Sequence, residues 1–359
     1  MSPGQLWQNL RAAGRRALTG PPAPPPGPRL IVWRWTGWCS GGYLAALLVA
    51  WALLFLVAEH WWLSALLLFG PRWVLAVPLA ALLPAAAVCR RTMLAPLFLA
   101  AAVLGGPILG FCVPTARLFR PPRPLARVRV LTCNTDGDNL HPRDLRLLLA
   151  ETGPDVVALQ EWQERFNTRV FADGRWYVHP GNGIALASRY PIRGAYSVTD
   201  APGWRDVITR FDLKTPDGPL TFFAVHLATP RSGLEEVMHR GWRGEAEQEA
   251  NNAQRDQESA AAGHLVAQAG GAFLVAGDFN MPCDSAIYRQ YWGRFADAFS
   301  SAGVGLGHSK FTRWWGVRID HILAGPGWRC RRCWVGPDVG SDHRPVIADM
   351  DWYGLPEQE

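Results

Sequence analysis

Six short polar clusters mark the later two thirds of the chain, each at the end of an apolar run of strand length. They are Cys133-Asn134-Thr135, Gln160-Glu161, Val225-His226-Leu227, Gly277-Asp278-Phe279-Asn280, Arg318-Ile319-Asp320-His321-Ile322 and Ser341-Asp342-His343-Arg344-Pro345. The fourth is the centre of the set. It follows Ala272-Phe273-Leu274-Val275-Ala276, a run that suits a buried strand. Alternation along an extended chain puts Asp278 and Asn280 on one side and Phe279 on the other. A carboxylate there orients or deprotonates a water, and an amide donates to a phosphate oxygen or holds a water. Gly, Asp and Asn are also turn formers, so these four residues alone equally describe a strand running into a polar turn. The company they keep decides between the two. Two amides, four carboxylates and at least two imidazoles sit at strand termini, where the sites of layered α/β proteins gather.

This inventory suits hydrolysis at phosphorus. A hard divalent cation takes oxygen ligands, and Glu161 with Asn134 offers a charged one and a neutral one. So sparse a protein shell leaves positions for water and phosphate, as Mg2+ prefers; Mg2+ or Mn2+ is the expected cofactor. The metal would neutralise charge on the phosphoryl group and the leaving oxygen. Asp278 would orient or deprotonate the attacking water. Asp342, directly before His343, is expected to orient or polarise the imidazole.

In order along about 127–351, the segments TCN, QE, VHL, GDFN, RIDHI and SDHRP resemble the motifs of the endonuclease/exonuclease/phosphatase superfamily, the DNase I-like fold. The resemblance implies a four-layer α-β-β-α sandwich. It implies that Asn134 and Glu161 belong to a metal site, to which Asp342 is added. His226 and Asn280 then contact phosphate, and Asp278 is the water-orienting carboxylate. Asp320, Asp342 and His343 correspond to the closing acid and the Asp-His pair. For His343 the resemblance leaves two roles open, general base or protonated stabiliser of the transition state.

The elements that must position these groups read as soluble α/β. Strands are expected at 128–132, 156–159, 183–188, 206–213, 220–227, 319–323, 330–335 and 345–349. Helical spacing of Leu145, Leu148 and Leu149 predicts a helix over 141–152, stopped by Gly153-Pro154. Residues 234–268, polar and Ala-rich, are expected to form one or two helices over a sheet. Many strands with few helices predict packed sheets with outer helices rather than a βαβ series.

The N-terminal third is different in kind. Residues 1–124 hold eleven Arg and a single acid, Glu59, a balance of +10; residues 125–359 hold 25 basic and 29 acidic residues, a balance of −4. The organisation read from this is a basic, Pro-rich cytoplasmic arm (1–37), a transmembrane region (38–113) with spans near 38–58, 73–88 and 93–113, a linker (114–126), the catalytic domain (127–351) and a tail (352–359). With three spans, the arm and the Arg90-Arg91 turn carry seven Arg on one side, against Arg72, Arg117, Arg120 and Arg123 on the other. The positive-inside rule then places a multi-pass protein in the cell membrane with its catalytic domain outside the cytoplasm.

The apolar runs hold no internal acid or His of the kind that marks a transport path. The acidic balance of the catalytic part argues against a broad nucleic-acid face. The expected activity is a membrane-anchored, metal-dependent phosphoesterase, acting on a phosphodiester or phosphomonoester. The substrate classes left open are nucleic acid (a nuclease), a lipid or inositol head group (a phosphatase or phospholipase-like enzyme) and a small phosphodiester. A catalytically inactive, membrane-tethered binding module is the reading from another class. Against it, every chemical position holds a competent residue type. Nothing in the sequence sets an oligomeric state. Among seven cysteines, Cys330 and Cys333 form a lone Cys-x-x-Cys without partners for a zinc site, leaving either two separate thiols or, in an oxidising compartment, a disulfide. His321 and Arg189 are expected to be structural, and Trp314-Trp315 to pack, to stack on a base or sugar, or to meet a membrane interface.

Overall fold

The computed structural model describes Gln5 and residues 27–114, 123–200 and 203–355. Among the described residues, fourteen strands form from Ala126 onward. They are β1 (Ala126–Asn134), β2 (Val156–Gln160), β3 (Tyr177–His179), β4 (Ile184–Ser188), β5 (Ile192–Thr199), β6 (Asp206–Thr215), β7 (Gly218–His226), β8 (Phe273–Asp278), β9 (Ala296–Asp297), β10 (Lys310–Phe311), β11 (Gly316–Val317), β12 (Asp320–Ala324), β13 (Trp328–Val335) and β14 (Val346–Trp352). Two six-stranded sheets result, ordered β13-β14-β1-β2-β4-β3 and β5-β6-β7-β8-β12-β9, with β10 and β11 a separate hairpin. Each sheet is antiparallel apart from one parallel pair, β1 with β2 and β7 with β8.

Alternation on these strands builds the layers. Val128, Val130, Val156, Ala158, Ile184 and Leu186 of the first sheet meet Phe211, Leu213, Phe222, Ala224, Leu274 and Ile322 of the second in one shared core. The opposite face of the first sheet (Leu131, Cys133, Val157, Leu159) is covered by a helix at Pro142–Thr152, whose Leu145, Leu148 and Leu149 share one buried side. The outer face of the second sheet (Phe223, Val225, Val275) is covered by a helix at Glu245–Ala267 and a short one at Ala286–Tyr291. This is the four-layer α-β-β-α sandwich.

At one point the packing demands glycine. A Cβ on Gly277 would lie 2.0 Å from the Val225 carbonyl oxygen. Its absence lets β7 and β8 close up and sets His226 beside Asp278 in register.

Among the described N-terminal residues, three helices are long and apolar enough to cross a membrane: Leu30–His60, Arg72–Cys89 and Arg91–Ile108. They pack on one another through Leu47, Leu54, Ala86, Leu97, Ala100 and Ile108. Their limits depart from the charge-free stretches. The first helix starts at Pro28, inside the segment read as an arm; proline is tolerated at the first helical position, and Arg34 simply lies within the first turns. Trp62–Phe69 is a short helix of its own between the first two long ones. The third ends at Ile108, after Gly105-Gly106-Pro107, and Cys112 then pairs with Gly305 of the catalytic domain. Most of the expected arm, residues 115–122 of the linker and the last four residues lie outside the described residues; Trp352, expected in the tail, ends β14.

Four short helices (Trp62–Phe69, Asn167–Val170, Ala286–Tyr291 and Ala298–Ala302) and several strands were not foreseen. The short ones, such as β3, β9 and the helix at Ala286–Tyr291, carry too few residues to show a period. Since Phe222 is fully buried between the sheets, Phe222→Ala is expected to destabilise the protein by about 3–5 kcal/mol. Denaturant melts of the detergent-solubilised chain check this; a loss below about 1 kcal/mol would contradict the two-sheet core.

Candidate active site

The polar clusters meet at one end of the sandwich. β1, β2, β7 and β8 run toward it, and β12 and β14 run away from it, so Asp320 opens β12 and Asp342-His343 precede β14 at that same end. Asn134, Glu161, His226, Asp278, Asn280, Asp342 and His343 line a cleft of ≈ 420 Å³. Asp320 stands behind it, bonded to His343. All eight residues expected from the sequence are therefore brought together.

Asp278 is fully buried and opposite Asp320 in the β8–β12 register. Its carboxylate accepts the Asn134 amide (3.0 Å) and the Asn280 backbone N–H (2.8 Å). Burial, then the neighbouring Asp320 charge, push its pKa up to about 6, against the pull of His343. His343 is 3% exposed, and its Nδ1 donates to Asp320 Oδ2 at 2.8 Å. Burial works against a charged imidazole here, but Asp320 and Asp278 outweigh it and push the pKa up to about 9. Its Nε2 stands 3.8 Å from both Asp278 Oδ2 and Asp342 Oδ1, too far for a hydrogen bond to either, so this N–H faces the cleft.

That geometry corrects one expectation. The acid bonded to His343 is Asp320 from the other sheet, not the preceding Asp342. Neighbours on extended chain point to opposite sides, and Asp342 instead pairs with Lys310.

His226 is held neutral. Burial, then the charges of Arg205 and His343, pull its pKa down to about 3. Its Nε2 is 3.6 Å from Glu161 Oε1. Asn280 gives one amide N–H to the Leu227 carbonyl (2.8 Å); the other makes a long contact to Asp278 (3.3 Å), the one a phosphate oxygen would compete for. Glu161 and Asn280 both adopt φ of 53°, the left-handed region that costs a non-glycine residue energy and recurs at functional sites.

The cleft fits a hard divalent cation. Glu161 is partly exposed, Asn134 Oδ1 accepts only the Asp136 N–H, and Asp342 Oδ1 is buried with no hydrogen-bond partner among the described residues. These are three oxygen donors lining one cavity, the set expected for Mg2+ or Mn2+. Asp278, Asp320 and His343 also bring donor atoms within 4.8 Å of one another. Both Asp278 oxygens accept from Asn134 and Asn280 and Asp320 Oδ2 accepts from His343, whereas Asp320 Oδ1 is buried with no hydrogen-bond partner among the described residues.

Several residues of the site carried no motif. Lys310 lines the cleft beside Asp342; its one visible signal is that it is one of only two lysines in the chain. Arg231, at a helix start (Arg231–Arg240), lines it too, as do Phe69 and Trp315. His321 turns away, its Nδ1 on Asp297 (3.0 Å) and Nε2 on the Met281 carbonyl (2.9 Å). Arg189 lies over Trp176 and pairs with Asp173, outside the cleft. Trp314 is exposed, while the Trp315 indole donates to the Phe69 carbonyl (3.0 Å). Cys330 and Cys333 are free, buried thiols.

A family model described as Endonuclease/Exonuclease/phosphatase family matches residues 131–343, more than half of the chain. Among solved structures, the chain is similar to a humanized D. rerio TDP2 (16% identity, TM-score 0.49, covering 63% of this chain and 99% of that one). It is also similar to the 3' phosphatase NExo from Neisseria bound to a product DNA hairpin (20%, 0.48, 63% and 100%). A third is the endonuclease/exonuclease/phosphatase from Beutenbergia cavernae DSM 12333 (18%, 0.48, 65% and 73%). No curated protein matches the chain.

Two opposed ionisations shape the expected pH profile. A base at Asp278 must be ionised, so activity is lost as pH falls through about 6; a donor at His343 must be protonated, so activity is lost as pH rises through about 9. The kcat/KM profile should be a bell between these limbs, and His343→Gln should remove the alkaline one. A profile that climbs steadily past pH 10 would show that His343 acts unprotonated.

Proposed function

This chain belongs to the endonuclease/exonuclease/phosphatase family, whose members are metal-dependent phosphoesterases, and from that premise we propose that it hydrolyses an amphiphilic phosphate ester at the surface of the membrane that its N-terminal helices span. One observation carries the substrate class. The cleft holding the catalytic acids takes one wall from the N-terminal helices, through Phe69, and continues it with Leu227, Leu234, Met238, Trp315 and Ile319. Phe69 ends the short helix between the first two candidate spans, at whose start stand Trp61 and Trp62, residues that suit a membrane interface. Trp314, Met238 and Trp242 expose their side chains nearby in sequence to this wall. A phosphate in the polar half would leave its apolar part against Phe69 and toward the bilayer.

The residues divide the work by charge state. Asp278, ionised at neutral pH with a pKa raised toward it, aligns a water and takes its proton. His343, still protonated, presents Nε2–H to an oxygen of the phosphoryl group as negative charge grows there. Asp320 fixes that ring. Neutral His226 and the second Asn280 N–H hold the other phosphoryl oxygens. Glu161, Asn134 and Asp342 would hold the divalent cation, which supplies neutralisation of charge on the phosphate and leaving oxygen. Lys310 screens Asp342 and adds positive charge to the cleft.

Full-length protein in vesicles is the material for the test. A phosphate-ester lipid in the bilayer should be cleaved at least about a hundredfold faster than its water-soluble head-group analogue, the size expected when remote binding energy is used in the transition state. Plasmid DNA cleaved as fast as the lipid would overturn the substrate class in favour of a nuclease. On the true substrate, Asp278→Asn and His343→Ala should each lower turnover by at least about a hundredfold. Glu161→Gln should raise the Mg2+ concentration needed for half-maximal rate. Full activity in excess EDTA would sink the metal-dependent reading.

The same reading places the catalytic domain outside the cytoplasm. Its support is the excess of Arg in the N-terminal segment and the Arg90-Arg91 turn over Arg72 and the linker arginines. A C-terminal epitope tag on intact, wall-stripped cells should be removed by external protease. A tag that survives until the membrane is lysed would put the domain inside.

A further inference from the structure

Glu59 is the only acid in the first 124 residues, and it is buried. It closes the first long apolar helix, just after Ala58, whose φ of 48° and ψ of −122° turn the chain sharply. That turn drives Glu59 into the catalytic domain. Its carboxylate accepts from Ser285 Oγ (2.5 Å), Ala286 N–H (2.9 Å) and Ile287 N–H (3.1 Å). Its carbonyl accepts from the Gln248 (2.9 Å) and Asn252 (2.7 Å) amides.

From Glu59 a line of buried charge runs on. Arg255, fully buried, lies in the fields of both Glu59 and Glu258; burial pulls its pKa down, to about 10, and the two acids oppose that. It donates to the Asn280 backbone carbonyl at 3.2 Å. Glu258 accepts the Ala228 N–H (2.7 Å) and a two-point contact from Arg205 (2.6 and 2.7 Å). Arg205 in turn donates to the His226 backbone carbonyl (2.5 Å). So both residues assigned to the phosphate, His226 and Asn280, are held from behind by Arg205 and Arg255. Arg255 meets the N-terminal helices through Asn252, whose Oδ1 accepts from it (3.2 Å) and whose amide donates to the Glu59 carbonyl, and through the field of Glu59 rather than a direct ion pair. Arg72 adds a second tie to the same loop, bonding Asp284 at 2.6 Å.

We propose that Glu59 is a positioning residue for the phosphate site, so that the N-terminal helices are a working part of the active site and not a tether alone. The proposal rests on the reading above only in taking the Asp278–Asn280 cleft as the phosphate site. Removing the Glu59 charge leaves Arg255 answered by Glu258 alone. Arg255 then shifts toward Glu258, the Asn280 carbonyl loses its donor, and the strained φ of Asn280 is free to relax.

The test is titration of inorganic phosphate, with Mg2+ present, into the full chain in detergent micelles, because a dissociation constant does not depend on how much of a sample is folded. Glu59→Gln should weaken phosphate binding about tenfold, and kcat/KM should fall by at least a similar factor, since the contact is made to bound phosphate as well as in the transition state. Glu59→Asp, which keeps the charge, should recover part of the loss. Leu97→Ala, which loosens the same helices away from the network, should leave phosphate affinity within about twofold. The proposal is overturned if Glu59→Gln binds phosphate as wild type does, or if Leu97→Ala weakens binding as much as Glu59→Gln. If Glu59→Gln does not yield folded protein, Gln248→Ala cuts the same junction more gently and should weaken binding at least about threefold; no change there overturns the proposal too. Wild-type protein that binds no phosphate and cleaves no phosphate ester would fail the phosphoesterase reading itself. Wild-type binding that the variants leave untouched fails this inference alone.

Discussion

Two carboxylates, Asp278 and Asp320, face each other in register on adjacent strands, and both are buried. Removing a charge from water costs several kcal/mol per ion, so such a pair exists only where something answers it. Here the answer comes from the other sheet. His343, held in the segment before β14, reaches Asp320, and Asn134 at the end of β1 reaches Asp278. The compensation therefore fixes how the two sheets meet at this end. Burial and the Asp320 charge lift Asp278 toward neutral pH against the pull of His343, while the two carboxylates keep His343 charged above it. Two groups with separated pKa values arise from one solvation constraint, which is the pattern that the base and proton-donor roles proposed for Asp278 and His343 require.

Much of this was legible because strand ends are local. A polar residue at the close of an apolar run announces itself in three or four letters, and the six clusters all fall at one end of the sandwich. Which groups bond to which was not legible. Asp342 touches His343 in sequence yet belongs to Lys310, while Asp320, 23 positions away, holds the imidazole. Pairing across two sheets depends on register and on which way an extended chain turns each side chain, and neither is written locally. The helix limits failed for a related reason. The absence of charge marks where a helix can cross apolar surroundings, not where its hydrogen bonds begin, so Arg34 and Pro28 joined a helix that a charge criterion cut short.

The least legible contacts span the greatest distances. Glu59 meets Ser285 across 226 positions, Arg72 meets Asp284 across 212 and Trp315 meets Phe69 across 246. From sequence, Glu59 interrupts a run of arginines and apolar residues, and Arg72 counts as one charge in a loop. Each becomes intelligible only when its partner is known. That the three contacts converge on the loop after β8 and on the wall of the cleft explains why one short stretch, Asp278 to Ile287, carries so many of the close polar distances.

A buried network of ions is a poor adhesive. Exchanged for apolar groups of similar volume, such networks often leave stability unchanged or improved, and what they supply where they persist is geometry. Apolar packing already joins the N-terminal helices to the domain, with Ala286 lying against their core. If attachment were all that mattered, the chain between Cys112 and β1 would serve as well. Yet the charges are aligned so that the two groups they grip, the carbonyls of His226 and Asn280, belong to the residues best placed to hold phosphate. The direction of the network, and not its strength, links the apolar helices to the chemistry.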